Sequence, residues 1–278
     1  MKKNSILSLI IGLLVSTIAF TACGGDDDST DDNGSNRYSS KHITKIIEEE
    51  DNSMYESTLS YDSQGRLIKV VETESSASIN GSSEMTYQYG ETLIITKQIR
   101  KSNYSNGQSF TNTEQHSYNL ENGLIVKDIE RQGSSSRTST YSYDSNNNLI
   151  SVSVKDSYDN YTMSVNWING NINNIVKETN YTGTSTTYSH TYSYSNVSWP
   201  KGFPYYLEGS NFDSYLFSMG YYGNVPKYLP SKVAYSENSE SGWTYDYTMQ
   251  GNLITKLSIK PFVENNKRSS SIITYFWE

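Results

Sequence analysis

The side chains able to do acid–base, nucleophilic or metal chemistry are few in this 278-residue chain. It has three histidines, His42, His116 and His190, and none lies in HExxH or another close metal-ligand spacing. His116 alternates with Tyr118, and His190 falls on a tyrosine-lined stretch, so both read as packing residues of strands. There is no GxSxG elbow, no P-loop and no GxGxxG after a strand. Any two of the 30 acids could pair for glycoside hydrolysis, but sequence alone cannot pair them. No enzyme, metal or cofactor is therefore expected. Trp167, Trp199 and Trp243, with the surplus of Tyr and Asn, could form a carbohydrate platform, because an aromatic face packs on a sugar ring and amides bond its hydroxyls. The same residues serve equally as core, since large aromatics dominate sheet packing.

The lone cysteine has a more specific setting. Lys2 and Lys3 precede an apolar run from Ile6 to Phe20, about the length of a signal h-region and short of the ~20 residues a spanning helix needs. Cys23 follows directly after Phe20, Thr21 and Ala22. This resembles the bacterial lipoprotein signal, in which cleavage before the cysteine frees it to carry diacylglycerol; Phe20 stands where that signal usually has Leu. With Cys23 lipidated, neither a disulfide nor a thiolate metal site can form within the chain. Asp26, Asp27 and Asp28, with Asp31 and Asp32, resemble the acidic export signal that sends lipoproteins of Bacteroidota-type bacteria to the outer face of the outer membrane. The expected organisation is a signal over residues 1–22, an acidic flexible linker over 23–40, and a single domain over 41–278. The net charge of −8 becomes more negative once Lys2 and Lys3 leave with the signal, and no basic stripe exists. Nucleic-acid binding and electrostatic membrane binding are thereby disfavoured, leaving the lipid at Cys23 as the membrane contact.

Composition fixes the elements that must position these residues. Ala is nearly absent outside the signal, while Tyr numbers 25, so the best helix former is missing and a strong strand former abounds. From about residue 41 one motif recurs: TLSYDSQGRLIKVV, MTYQYGETLIITKQI, EQHSYNLENGLIVKDI, TYSYDSNNNLISVSV, MSVNWINGNINNIV and WTYDYTMQGNLITKLSI. Each is an aromatic strand, a tight polar turn and an aliphatic strand. Leu67, Leu93, Leu124, Leu149 and Ile172 are spaced 26, 31, 25 and 23 residues apart, which is one β-hairpin per interval. Met85, Tyr87 and Tyr89 share one parity, as do Tyr188, His190, Tyr192 and Tyr194, the alternation of a half-buried strand. Turns rich in Gly and Asn close one end; longer links such as SSASINGSS, SNYSNGQS and RQGSSS are expected at the other. Roughly 14–16 strands exceed what a strongly twisted open sheet holds, so this all-β antiparallel meander is expected to close into a barrel or a strongly curled sheet.

Two resemblances follow from these motifs. The Tyr-Asp…Gly-Arg-Leu turn of residues 61–67 is locally similar to the YD repeats of large bacterial shell proteins. The lipoprotein signal, the hairpins SYDSQGRLIKV and SYDSNNNLISV, the stretch GYYGNVPKYLPSKV and the closing TYDYTMQGNLITKL together resemble a Bacteroides-type lipoprotein family of unknown function described as having a porin-like fold. That resemblance implies an antiparallel barrel-like fold and brings no catalytic or binding residues.

Residues 196–230 break the rhythm, with Pro200, Pro204, Pro226 and Pro230 barring a run of central strands. Within them Phe212, Tyr215, Leu216 and Met219 recur at i, i+3, i+4 and i+7, which predicts a short helix capped by Ser210 or Asn211 and stopped at Gly220. Its apolar face suits either a lid over a ligand site or, more simply, a plug completing the core. A membrane-spanning pore fits poorly: the chain ends on Glu278, and strands such as SSSRTSTYSY alternate Tyr with Ser and Thr and so lack an apolar outward band. The expected function is a lipid-anchored outer-membrane protein, exposed at the surface, serving as a binding or structural module with a glycan as the ligand class. A non-binding protein-interaction scaffold is the alternative; a hydrolase or a pore ranks lower.

Overall fold

Sixteen strands close into one antiparallel barrel in the computed structural model, which describes residues 41–156, 160–181, 184–204, 207, 212–235, 238–262 and 269–278. They are β1 (Ile43–Glu50), β2 (Ser53–Tyr61), β3 (Leu67–Ser75), β4 (Ile79–Tyr89), β5 (Leu93–Tyr104), β6 (Ser109–Glu121), β7 (Leu124–Gln132), β8 (Ser135–Tyr143), β9 (Leu149–Lys155), β10 (Asn160–Ile168), β11 (Asn171–Tyr181), β12 (Thr184–Ser198), β13 (Tyr228–Tyr235), β14 (Asn238–Gln250), β15 (Leu253–Pro261) and β16 (Ser271–Trp277). Each pairs with its sequence neighbours, and β1 pairs with β16 to close the sheet, so no edge is left. The all-β meander, the closure and, among the described residues, the single short helix, α1 (Ser214–Ser218), agree with the sequence.

The tight turns take their shape from their residues. Asn122-Gly123 and Asn169-Gly170 each hold two successive positive φ angles, the two-residue hairpin turn whose twist matches the flanking strands. In the Tyr-Asp turns a carboxylate organises the loop instead: Asp62 Oδ1 accepts from the amides of Gln64 and Arg66, and Asp144 Oδ1 from those of Asn146 and Asn148. The opposite end differs from expectation. The Ser-rich links are mostly absorbed into strands, with β4 starting at Ile79, β5 running to Tyr104 and β8 starting at Ser135. Ser and Asn tolerate a strand that is solvated on both faces, so the ladder extends through them rather than stopping.

A ring of aromatic ties girds the turn end. Near the end of an even-numbered strand, a Tyr or Trp donates to a backbone carbonyl near the start of the odd strand that immediately precedes it. Tyr61 reaches Ile43 O, Tyr89 Leu67 O, Tyr143 Ile125 O, Trp167 Leu149 O, Tyr194 Ile172 O, Tyr247 Pro230 O and Trp277 Ile254 O, at 2.6–2.9 Å. In β6 the position is Leu120, which cannot donate through its side chain, and there the backbone amide of Leu120 bonds Thr92 O instead. Two residues earlier on the even strands, Leu59, Tyr87, Tyr118, Tyr141, Val165, Tyr192, Tyr245 and Tyr275 form a second, buried ring. Tyr143→Phe, which removes one tie and keeps the ring in place, is expected to cost about 1 kcal/mol in chemical denaturation.

Register assigns the opposite parity to the outside. One outward row runs from Ser60 through Lys69, Thr86, Lys97, Gln115 and Arg131 to Ser136. Another runs from Asn119 through Lys127, Thr140, Ser153, Thr162 and Glu178 to Thr187. Isolated apolar residues such as Ile68, Ile150 and Phe276 interrupt a surface that is otherwise hydroxylic and charged.

Candidate functional site

A sixteen-stranded barrel is wide enough to hold an aqueous channel. Here one half of the lumen is filled from within. The connection between β12 and β13 turns back into the turn end, where Trp199, Phe203, Leu207, Phe212, Leu216, Phe217, Met219, Tyr221 and Tyr222 are all buried. Phe203 meets Tyr275 of β16 at 4.9 Å between ring centroids, Tyr222 meets Tyr141 of β8 at 5.2 Å, and Tyr221 stacks on Tyr89 of β4 at 6.0 Å. Backbone bonds seat the segment on three hairpins: Ile125 N to Tyr221 O, Asn224 N to Asn147 O, and Lys227 N to Gly170 O.

The helix inside this plug is shorter than its pattern suggests. Its N-cap is Asp213, whose Oδ1 accepts from the amides of Tyr215 and Leu216. Ser210 and Asn211, the expected caps, lie outside the described residues. Phe212, Leu216 and Met219 are buried and Tyr215 half-buried, but so is Phe217 on another side, because the barrel surrounds the turn of helix instead of flanking it. Of the two roles the sequence left open, these positions match the plug. Asp213 also receives Tyr87 OH at 3.0 Å, which ties the plug to the wall; burial pushes its carboxyl up despite these bonds.

Towards the other end the inward residues change character. In β1–β5 they are Glu48, Tyr55, Ser57, Glu72, Glu74, Gly81, Ser83 and Arg100, around a cavity of about 340 Å³. Burial holds the carboxyls of Glu48 and Glu72 above the usual range, partly offset by Ser271 at Glu48 and by Arg100 and Ser83 at Glu72. Tyr55 OH faces Glu74 at 3.5 Å, and Gln98 donates to Ser83 Oγ at 2.8 Å. On β10–β14 the same zone is aromatic. Lys177 Nζ lies 3.9 Å from the centroid of the Tyr161 ring, His190 meets Tyr235 edge-on at 4.9 Å, and Trp243 donates to Tyr235 OH at 2.6 Å. Burial, followed by the charge of Lys177, depresses the His190 pKa.

Between these arcs, β6–β8 carry a charged array that sequence reasoning missed. His116 Nδ1 is 2.9 Å from Asp128 Oδ2, and its Nε2 is 2.8 Å from Glu114 Oε1. Glu130, cross-strand from both His116 and Arg137, is ion-paired with Arg137. Burial alone would lower the imidazolium pKa, but the hydrogen bonds of Asp128 and Glu114 and the charges of Asp128 and Glu130 outweigh it, pushing the pKa up to about 10. His116 does stack on Tyr118, as its packing role required, at 5.3 Å. The i, i+2 pair Glu114/His116 was visible in the sequence; its partners Asp128 and Glu130 come from the register of β6 with β7.

The three tryptophans are not brought together as a platform. Trp167 is one of the girdle ties, and Trp199 is buried with its indole bonded to Phe203 O at 3.2 Å, both at the turn end. Trp243 pairs with Val233 and Pro261 in the polar half and is the one of the three placed among candidate binding residues. Cys23 and Asp26, Asp27 and Asp28 lie outside the described residues.

Fold and lumen together define a class: a closed antiparallel barrel, plugged at one end, with a polar and aromatic half-lumen at the other. A family described as a domain of unknown function (DUF4595) with porin-like fold matches residues 59–255, from β2 to β15, and the chain belongs to that family. Among solved structures it is similar to a porin-like protein from Bacteroides uniformis ATCC 8492, at 16% identity over 85% of this chain and 96% of that one, with a TM-score of 0.58. It is also similar to a porin-like protein from Bacteroides vulgatus ATCC 8482, at 12% identity over 86% and 99% of the two chains, with a TM-score of 0.59. Likeness at this identity is likeness of fold. No curated protein matches the sequence.

Proposed function

We propose that the protein is a lipid-anchored outer-membrane barrel, presented at the cell surface, whose open half-lumen binds a hydroxyl-rich ligand of the glycan class. The observation that carries this reading is the division of the lumen, which couples a sealed aromatic half to a half lined by carboxylates, hydroxyls and the faces of Tyr and Trp. Aromatic faces suit sugar rings, while Glu72, Glu74 and Ser83 suit their hydroxyls. The outward rows of Ser, Thr, Lys and Glu favour a solvated barrel over a spanning pore, because a spanning barrel needs an apolar band about 25 Å tall. The plug argues against conduction in the same direction.

Calorimetric titration of the folded protein against a panel of soluble oligosaccharides and polysaccharides tests the ligand class. At least one member is expected to bind, at least tenfold more weakly to Glu72→Ala and with loss of the fluorescence response in Trp243→Phe. Silence across the panel would sink the glycan reading. Cys23→Ser is expected to release the protein from the membrane fraction; survival of the lipidated protein under protease treatment of intact cells, with digestion only after lysis, would refute surface exposure. The alternative, a protein-interaction scaffold, draws its support from Tyr104 and Phe110, a T-shaped aromatic pair at the tip of the β5–β6 hairpin that is 38% and 60% exposed.

A further inference from the structure

We propose that Glu114, His116 and Glu130 hold one divalent transition-metal ion, zinc or manganese, in the wall of the lumen, with Asp128 orienting the histidine. This goes beyond the ligand reading above and does not depend on it.

The candidate donor atoms of the three residues all lie within 4.8 Å of one another. Backbone register fixes their placement. Glu114 and His116 share the inward face of β6 two residues apart, and Glu130 stands directly opposite His116 on β7. His116 Nε2 and Glu114 Oε1 face one another across a 2.8 Å hydrogen bond, whose proton an ion would displace, so both atoms are already turned toward one point. Asp128 completes the arrangement typical of a metal-bound histidine, in which a carboxylate holds the ring nitrogen that does not face the metal.

A second observation points to an occupant. Asp128 is only 6% exposed, and its Oδ1 is buried without a hydrogen-bond partner. Such a carboxylate is costly where the array is already rich in negative charge. Glu114, Asp128 and Glu130 bring three negative charges, and Arg137 answers the one on Glu130. The His116 imidazolium answers only one of the other two; a divalent ion that displaces the proton from Nε2 answers both and leaves the array neutral. One nitrogen donor with carboxylate oxygens and no thiol suits zinc or manganese over softer ions. Side-chain exposures of 17% for His116 and 28% for Glu114 leave a path for entry from the lumen.

The test uses the chelator-stripped mature protein, dialysed against micromolar Zn²⁺ or Mn²⁺ and assayed for metal by mass spectrometry. One equivalent of one of these ions is expected. Affinity should fall at least tenfold in His116→Gln and in Glu114→Gln and hold within twofold in His190→Gln, with folding of each variant checked by circular dichroism. If the first two variants do not fold, the wild type still decides. It has three histidines, and Mn²⁺ should broaden the ring resonances of His116 before those of His42 and His190. Absence of a stoichiometric ion, unchanged affinity in the folded variants, or broadening that spares His116 would each overturn the assignment.

Discussion

Phe217→Ala is expected to lower the stability of the barrel by about 3–5 kcal/mol, read as a shift of the denaturant midpoint with little change of slope. Phe217 is 2% exposed at the centre of the plug. It lies parallel to Phe212 at 5.9 Å and 9°, meets Trp199 edge-on at 5.9 Å, and faces Tyr222 at 6.5 Å. Its partners cannot collapse into the space left behind. Phe212 and Tyr222 are each engaged with Tyr141 of the wall, and Trp199 is bonded to Phe203 O, so the void would persist and its lining would lose contacts outright. A control separates this from a general effect of losing an aromatic residue. Phe276 lies on the outer face of β16 and is 44% exposed, so Phe276→Ala is expected to stay within about 0.5 kcal/mol of the parent. Equal costs at the two positions would show that the plug does not form part of the cooperative core.

The hairpins were legible because their signals are local. Asn-Gly turns, the Tyr-Asp loop and parity along a strand all act within about ten residues, so Leu67, Leu93, Leu124 and Leu149 mark strand starts without reference to anything distant. The helix was half legible. Its periodicity identified the right residues, but its cap depends on Asp213, whose second carboxylate oxygen is held by Tyr87, 126 positions away. The site was the least legible part. Glu114 acquires a neighbour in Glu130 only through the offset of β6 against β7, where a bulge between Asn119 and Leu120 shifts the pairing by one. Counting inward from the turn without that bulge would place the acids of β7 on the wrong face. Trp167 and Trp243 show the same limit: similar in sequence setting, they stand at opposite ends of the lumen, one a backbone tie and the other beside Tyr235.

Two glycines of similar positive φ give the second large effect and separate conformational strain from close approach. Gly202 and Gly223 sit at φ +74° and +88°, where any L-residue is strained by about 1–2 kcal/mol. A Cβ on Gly202 would meet nothing within 4 Å, so Gly202→Ala is expected to cost about that amount and no more. A Cβ on Gly223 would lie 2.2 Å from the carbonyl oxygen of Asn147 and 3.2 Å from the Tyr143 ring. That carbonyl belongs to the β8–β9 turn on which the plug is clamped. Asn224 N donates to it at 3.0 Å, while the Asn224 side chain donates to Asn146 O at 2.7 Å and to Asn148 Oδ1 at 3.0 Å. The turn cannot retreat without distorting Asn147, already at φ +62°. The plug must move instead, breaking the Asn224 bonds and opening Tyr222 to water. Gly223→Ala is therefore expected to cost about 3–5 kcal/mol, and the loss should be local before it is global. Hydrogen exchange at residues 212–226 should accelerate under conditions in which β2–β5, remote from the clamp, keep their protection. Unchanged exchange in the plug, or equal costs at the two glycines, would mean that the approach of Gly223 to Asn147 does not hold the plug in place.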